Sequence, residues 1–264
     1  ETTGDLGIGT ITAPQTDILL TSGAILRGTV HGATTTLRAR DGIGTEKLVF
    51  LKGGSILMEA SRGDVRFDID QSLSGGEATL RSVSTGGTGR VEINANGTAL
   101  TVAGGITSED GRITLRSGDL TTHGMIASRG GDIALDLRGD LKMTAIQGDI
   151  ASQTGAIILD IAGNAELAEV RTGAEERLAL DVAIGGEVTN APGVVNERLE
   201  AMGRGATTKV RIGSSAIKGP LGFETRVNTL DIIQARGDLH LNNLAELNLT
   251  YGEATTGALE IFAG

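Results

Sequence analysis

The sequence predicts an all-β fold, a right-handed parallel β-solenoid of about 12 coils with a period of about 20–26 residues. Three observations carry this expectation. Apolar-alternating runs recur through the chain, each run breaks into short pieces closed by glycine, and 41 Gly stand beside only 3 Pro among 264 residues.

The recurrent runs are VRFDI from Val65, VEINA from Val91, ITLRS from Ile113, IALDL from Ile133, IILDI from Ile157 and LALDV from Leu178, at intervals of 26, 22, 20, 24 and 21 residues. Runs at Val210, Leu239 and Leu259 extend the series with two longer gaps. Alternation with period two marks strands. In a solenoid like positions stack, so Val65, Val91, Ile113, Ile133, Ile157 and Leu178 are expected to form one interior column. A rise of roughly 4.8 Å per coil gives a rod about 60 Å long. A two-sheet sandwich would need frequent tight hairpin signals, and Asn96-Gly97 is almost alone. The chain reads as one segment, 1–264, with less regular insertions near 40–55 and 183–235. Only residues 194–203, VVNERLEAMG, could form a helical turn or two.

Within each coil the pieces end on Gly or Gly-Asp, as in GRITLRS, GDLTTHG and MIASRGG. Gly-Asp occurs at Gly4, Gly63, Gly118, Gly131, Gly139, Gly148 and Gly237, preceded by varied residues. The dipeptide is therefore expected to be a turn device, with Gly left-handed and Asp accepting backbone hydrogen bonds. Arg precedes it three times, giving Arg62-Gly63-Asp64, Arg138-Gly139-Asp140 and Arg236-Gly237-Asp238. These tripeptides are candidate receptor-binding corners, with the turn role as the blander reading.

Composition narrows the partners. The apolar fraction of 39% is too high for a disordered glycine-rich linker, and the few aromatics imply a thin aliphatic core. A net charge of −10 without clustered Lys or Arg argues against nucleic acid and anionic membrane surfaces. No apolar run is long enough for a spanning helix. Without cysteine there is neither a disulfide framework nor a thiolate metal site. The chain opens at Glu1 and stops at Gly264 beside a strand-like run, as expected of a processed chain or a piece of a longer one.

The strongest side-chain constellation is a column. Counting outward positions along the recurrent runs gives Asp68, Asn94, Arg116, Asp136, Asp160 and Asp181. Asp136, Asp160 and Asp181 would stack at about 4.8 Å, which disfavours like charges and could hold a hard cation such as Ca²⁺. A solvated acidic face is the simpler account. His31, His123 and His240 lack metal-ligand spacing, no Gly-x-Ser-x-Gly elbow exists, and residues 203–209 miss the phosphate-loop spacing. A polysaccharide-acting enzyme would need a cleft with paired carboxylates and aromatics, and the two insertions hold just Phe50 and Phe223. The expectation is that this is not an enzyme.

Two blocks add a resemblance: LRARDGIGTEKLVF (37–50) and IGSSAIKGPLGFETRVNTLDIIQARGDLHLNNLAELNLTYG (212–252). They resemble the repeats of filamentous-haemagglutinin-like large exoproteins, a Gly turn followed by Pro-Leu-x-x-Glu/Asp-Thr-x-Val-x-x-Leu and a Leu-Thr-Leu-like strand. Gly213, Pro220-Leu221, Glu224-Thr225, Val227, Leu230 and Leu247-Asn248-Leu249-Thr250 occupy those places. Phe223 departs from the pattern, and the first block lacks Pro-Leu. The resemblance implies a bacterial extracellular or cell-surface β-helix, one segment of a fibrous adhesin. Its expected partners are further solenoid repeats end to end and a cell-surface receptor or glycan. A self-stacking filament subunit and a β-helix enzyme are the alternatives.

Overall fold

A computed structural model describes residues 4–51, 54–70, 77–95, 97–144, 148–175, 177–191, 198–215 and 223–264. Among these residues there are 26 strands, all in one sheet, and no helix. Every pairing is parallel, and each strand bonds to the strand one coil before and one coil after, except Leu6–Ser22, Asn248–Ala254 and Leu259–Ala263, which pair on one side only. The chain is a β-solenoid of about 10 turns. The longest ladder holds twelve strands, from Leu6–Ser22 to Asn248–Ala254. The number of turns, about 10, is slightly smaller than the twelve coils expected.

The middle coils have three faces. Ile113–Ser117 begins one coil, Leu120–Thr122 follows on the second face, and Ile126–Ser128 lies on the third. Ile133–Leu137, Leu141–Met143 and Ile150–Ser152 repeat the plan above it. The strands are short because parallel partners need a crossover, and here the rest of the coil is the crossover. In ITLRS, Ile113, Leu115 and Ser117 turn inward while Thr114 and Arg116 face out. Ile113, Ile133 and Ile157 pair directly and are fully buried, so a single aliphatic column runs through the rod. Truncating one such side chain to Ala costs about 2–5 kcal/mol. Phe50 and Phe67 widen this core locally, meeting edge to face at 5.5 Å.

The interior column departs from expectation at its last member. Val65, Val91, Ile113, Ile133 and Ile157 stack as expected, but Ile157 pairs with Leu180, not Leu178. The ladder has a bulge between Leu178 and Leu180, where Ala179 and Leu180 both turn inward and leave Leu178 exposed. The insertions keep the stack. Register shifts occur between Ile43 and Val49 and between Ile184 and Glu187, and Leu178–Asn190 and Thr207–Ser215 are simply longer strands. Arg198–Ala201 is a strand rather than a helical turn, because Leu199 and Ala201 continue the third-face column above Val170 and Thr172. Pro220 and Leu221 lie outside the described residues.

Candidate functional site

The Arg-Gly-Asp corners are built into the coil stack. Asp64 Oδ1 accepts the backbone N–H of Arg90 at 2.9 Å, Asp140 that of Asn164 at 2.8 Å, and Asp238 that of Ala258 at 3.0 Å. Each acceptor thus pins the next coil. Arg62 is paired with Asp41 at 2.6 Å, and Arg138 is exposed. The Gly role is only partly conformational. Gly63 and Gly237 are left-handed, with φ of 83° and 86°. Gly139 has no positive φ; a Cβ there would strike the Asp119 carboxylate. The common demand at these corners is close approach of one coil to the next.

A second ladder carries no sequence motif and was not anticipated. Thr85, Ser108, Ser128, Ser152 and Thr172 stack in successive layers of the third face, all buried. Their hydroxyls donate to the carbonyls of Gly63, Gly89, Gly111, Gly131 and Gly155 at 2.5, 2.8, 3.1, 3.0 and 2.5 Å. The N–H groups of Gly111, Gly131 and Gly155 return bonds to Ser108, Ser128 and Ser152 at 3.0, 2.9 and 2.9 Å. The signal in the sequence is a Ser or Thr closing each of these third strands, with a Gly three residues on after Ser108, Ser128 and Ser152. These hydroxyls are structural, each already engaged with backbone.

The expected carboxylate column is corrected by the register. Asp136 and Asp160 pair directly, but Asp160 stands opposite Ala183, and Asp181 stands opposite Ile158. The two-residue offset that moves Leu178 out of the core moves Asp181 out of the column. Asp181 accepts from Arg211 at 2.7 Å, and Asp136 lies 3.6 Å from Arg116. Among the described residues no three His, Cys, Asp or Glu groups come together as a metal site. His240 pairs with Glu260 and stacks near Phe262 at 5.2 Å.

A shallow groove of about 790 Å³ lies on the third face. Thr107, Ala127, Ala151, Arg171 and Glu200 face outward in five successive layers and line it along the rod axis. Two consecutive alanines lower the middle of the floor. Met125 and Met202 line the groove as well, 40% and 37% exposed. Arg129 lies 3.7 Å from Glu109 and Arg171 lies 3.9 Å from Glu169, both loose and exposed pairs. Glu175 and Glu200 have no ion-pair partner among the described residues. Burial pushes the Asp149 carboxyl up, and the neighbouring Glu169 adds to the shift against the smaller opposing pull of Arg171. Ser108, Ser128, Ser152 and Thr172 beneath the groove are bonded to glycine carbonyls, and the lining sets an apolar floor among two arginines, Arg129 and Arg171, and two glutamates, Glu175 and Glu200.

The chain matches no protein-family model, no curated protein and no solved structure.

Proposed function

We propose that this chain is a structural and adhesive segment of a secreted or cell-surface fibrous protein, a rigid rod continued by further coils. The observation that carries the reading is the end layer. Leu249 is 45% exposed, whereas its partner in the layer below, Leu230, is fully buried. Leu259 and Ile261 are likewise only partly covered, above the buried Leu239 and Leu241. The strand Asn248–Ala254 pairs on one side, so its other edge offers free backbone groups. Apolar core positions beside an open parallel edge fit one more coil of the same kind. At the opposite end Ile8, Ile11 and Leu20 are partly buried against the same core, and Leu19 is 64% exposed.

Rod stiffness follows from the stack, since each coil shares its core column and its backbone ladder with both neighbours. The adhesive and surface parts of the reading rest on the resemblance of residues 37–50 and 212–252 to large exoprotein repeats. The test is made on the native polypeptide that carries this segment. A denaturing mass many times 27.0 kDa, and release of the segment by protease applied to intact cells, are expected. Retention inside intact cells after complete surface digestion would overturn the surface assignment. A native mass near 27.0 kDa would overturn the covalent continuation.

A further inference from the structure

We infer that Met125 and Met202 are the chain's sites of reversible two-electron oxidation, where a peroxide converts the thioether to a sulfoxide and leaves the rod intact. This goes beyond the rod reading and holds whether or not the rod stands at a cell surface. The sequence holds 4 Met and neither Cys nor Trp, so thioethers are its most readily oxidised side chains. The coil stack divides them two and two. Met58 is an inward residue between Leu37 and Val83 in the layers on either side, and it is fully buried. Met143 turns inward beside Thr122 and is buried as well. Met125 and Met202 stand just outside strands, before Ile126–Ser128 and after Arg198–Ala201, and both are exposed.

Position decides which sulfur reacts. The sulfur lone pair attacks a peroxide oxygen, so the S–O bond forms as the O–O bond breaks, and the departing hydroxide takes up a proton to become water. The sulfur is oxidised by two electrons and the peroxide is reduced by two. Met58 and Met143 meet the oxidant only when coils open, because the core and the backbone ladders enclose them. Met125 and Met202 both line the third-face groove with Ala127 and Ala151. Their oxidation changes that face alone, replacing two flexible apolar side chains by polar ones that accept hydrogen bonds. The aliphatic column and the buried Ser and Thr hydroxyls keep their contacts. A sulfoxide reductase that draws on a dithiol reverses the step, returning the thioether and releasing water and a disulfide.

The experiment treats the folded full chain with millimolar hydrogen peroxide, quenches samples over time and maps oxygen uptake by peptide mass. Met125 and Met202 are each expected to gain one oxygen at least about tenfold faster than Met58 and Met143. In guanidinium the four rates are expected to converge. A Met125→Leu, Met202→Leu double variant should take up almost no oxygen over the same interval while keeping the urea midpoint of the unsubstituted chain. The chain oxidised at both exposed sites should melt within about 2 °C of the untreated one. Equal rates at all four methionines of the folded chain would overturn the assignment, as would rapid oxygen uptake by the double variant. A melting temperature lowered by about 10 °C when only Met125 and Met202 are oxidised would show that the change is not confined to the face.

Discussion

Asp140 accepts the backbone N–H of Asn164 at 2.8 Å, while its own backbone N–H is held by Asp119 at 2.8 Å. Asn164 in turn accepts the N–H of Glu187 at 2.8 Å. Asp119, Asp140 and Asn164 thus form a side-chain ladder up one corner, each accepting the backbone N–H of the corresponding residue one coil on, which is Asp140, Asn164 and Glu187 in turn. The acid of the Arg138-Gly139-Asp140 tripeptide belongs to this ladder.

Removing that link has a defined cost. Asp140→Ala leaves the Asn164 N–H without its acceptor and is expected to destabilise by about 1–2 kcal/mol, the low range for a charged bond at an exposed corner. Asp140→Asn keeps an acceptor and should retain most of the stability. Arg138→Ala, at an exposed position, should change it by less than about 0.5 kcal/mol. Urea midpoints of the three variants give the order. An equal loss from Arg138→Ala and Asp140→Ala would remove the ladder explanation.

Glycine substitutions separate strain from collision. Gly87 has φ of 59°, and nothing lies within 4 Å of the point a methyl group would occupy. Gly87→Ala is therefore expected to cost about 1–2 kcal/mol from the left-handed backbone alone. Gly131 is not left-handed, yet a Cβ there would collide with the Gly111 carbonyl oxygen and carbon. The backbone of one coil would have to move off the next, and Gly131→Ala is expected to cost about 3 kcal/mol or more. Thermal unfolding of both variants checks the ranking, and a milder effect at Gly131 would contradict the close-approach account.

These glycines show how far the sequence could be read. Coil spacing and interior columns were legible because alternation in runs such as ITLRS and IALDL reports burial directly. The corner device was legible as Gly-Asp, but its physics was not, since contact between coils is invisible to local turn rules. Asp181 was misplaced because Ile157 pairs with Leu180 and not Leu178, and the LALDV run offers two leucines two residues apart that alternation alone does not tell apart. The groove was missed because Ala127 and Ala151 are 24 residues apart and look like ordinary small residues until the register pairs them. The resemblance to exoprotein repeats rests partly on Pro220-Leu221, outside the described residues, and on Thr225 and Val227, both buried.

Two buried serines make opposite predictions. Ser128 donates to the Gly111 carbonyl and accepts from the Gly131 N–H, so Ser128→Ala strands a buried donor and an acceptor. A loss of about 1–3 kcal/mol is expected. Ser117 is equally buried, but its hydroxyl has no hydrogen-bond partner, and Leu137 fills the same position in the next layer. Ser117→Ala should be neutral or stabilising. Guanidinium unfolding of both single variants decides; a comparable loss at Ser117 would mean that its hydroxyl is satisfied.

The Asp136–Asp160 pair is a local liability. The two carboxylates face each other in adjacent strands, with Arg116 relieving only Asp136. Asp160→Asn is expected to raise stability by about 0.2–1 kcal/mol, an effect that shrinks at high salt. With Asp181 turned toward Arg211, two carboxylates alone offer a poor calcium cage. Millimolar calcium is expected to leave the melting temperature of the unsubstituted chain unchanged. A clear calcium-dependent rise that vanishes in Asp160→Asn would restore a cation to this face.

Asp149 gives a pH dependence with a definite sign. Burial foremost, and Glu169 second, make its carboxyl hold a proton to higher pH in the folded chain than in the unfolded one. Below the ordinary carboxylate pKa of about 3.9 both states are protonated, so the residue contributes nothing to the pH slope. As pH rises from there through the raised folded value, the unfolded state releases its proton more readily, and stability falls. Above that window the full penalty persists, including at pH 7. Asp149→Asn removes the charge but keeps an oxygen that can accept the Glu169 backbone N–H, the bond that partly offsets the shift. The variant should therefore melt higher than the unsubstituted chain at pH 7 and coincide with it near pH 3. Melting curves at both pH values test this. A variant that is less stable at pH 7, or more stable by the same margin at pH 3, would show that the charge on Asp149 is not what burial penalises.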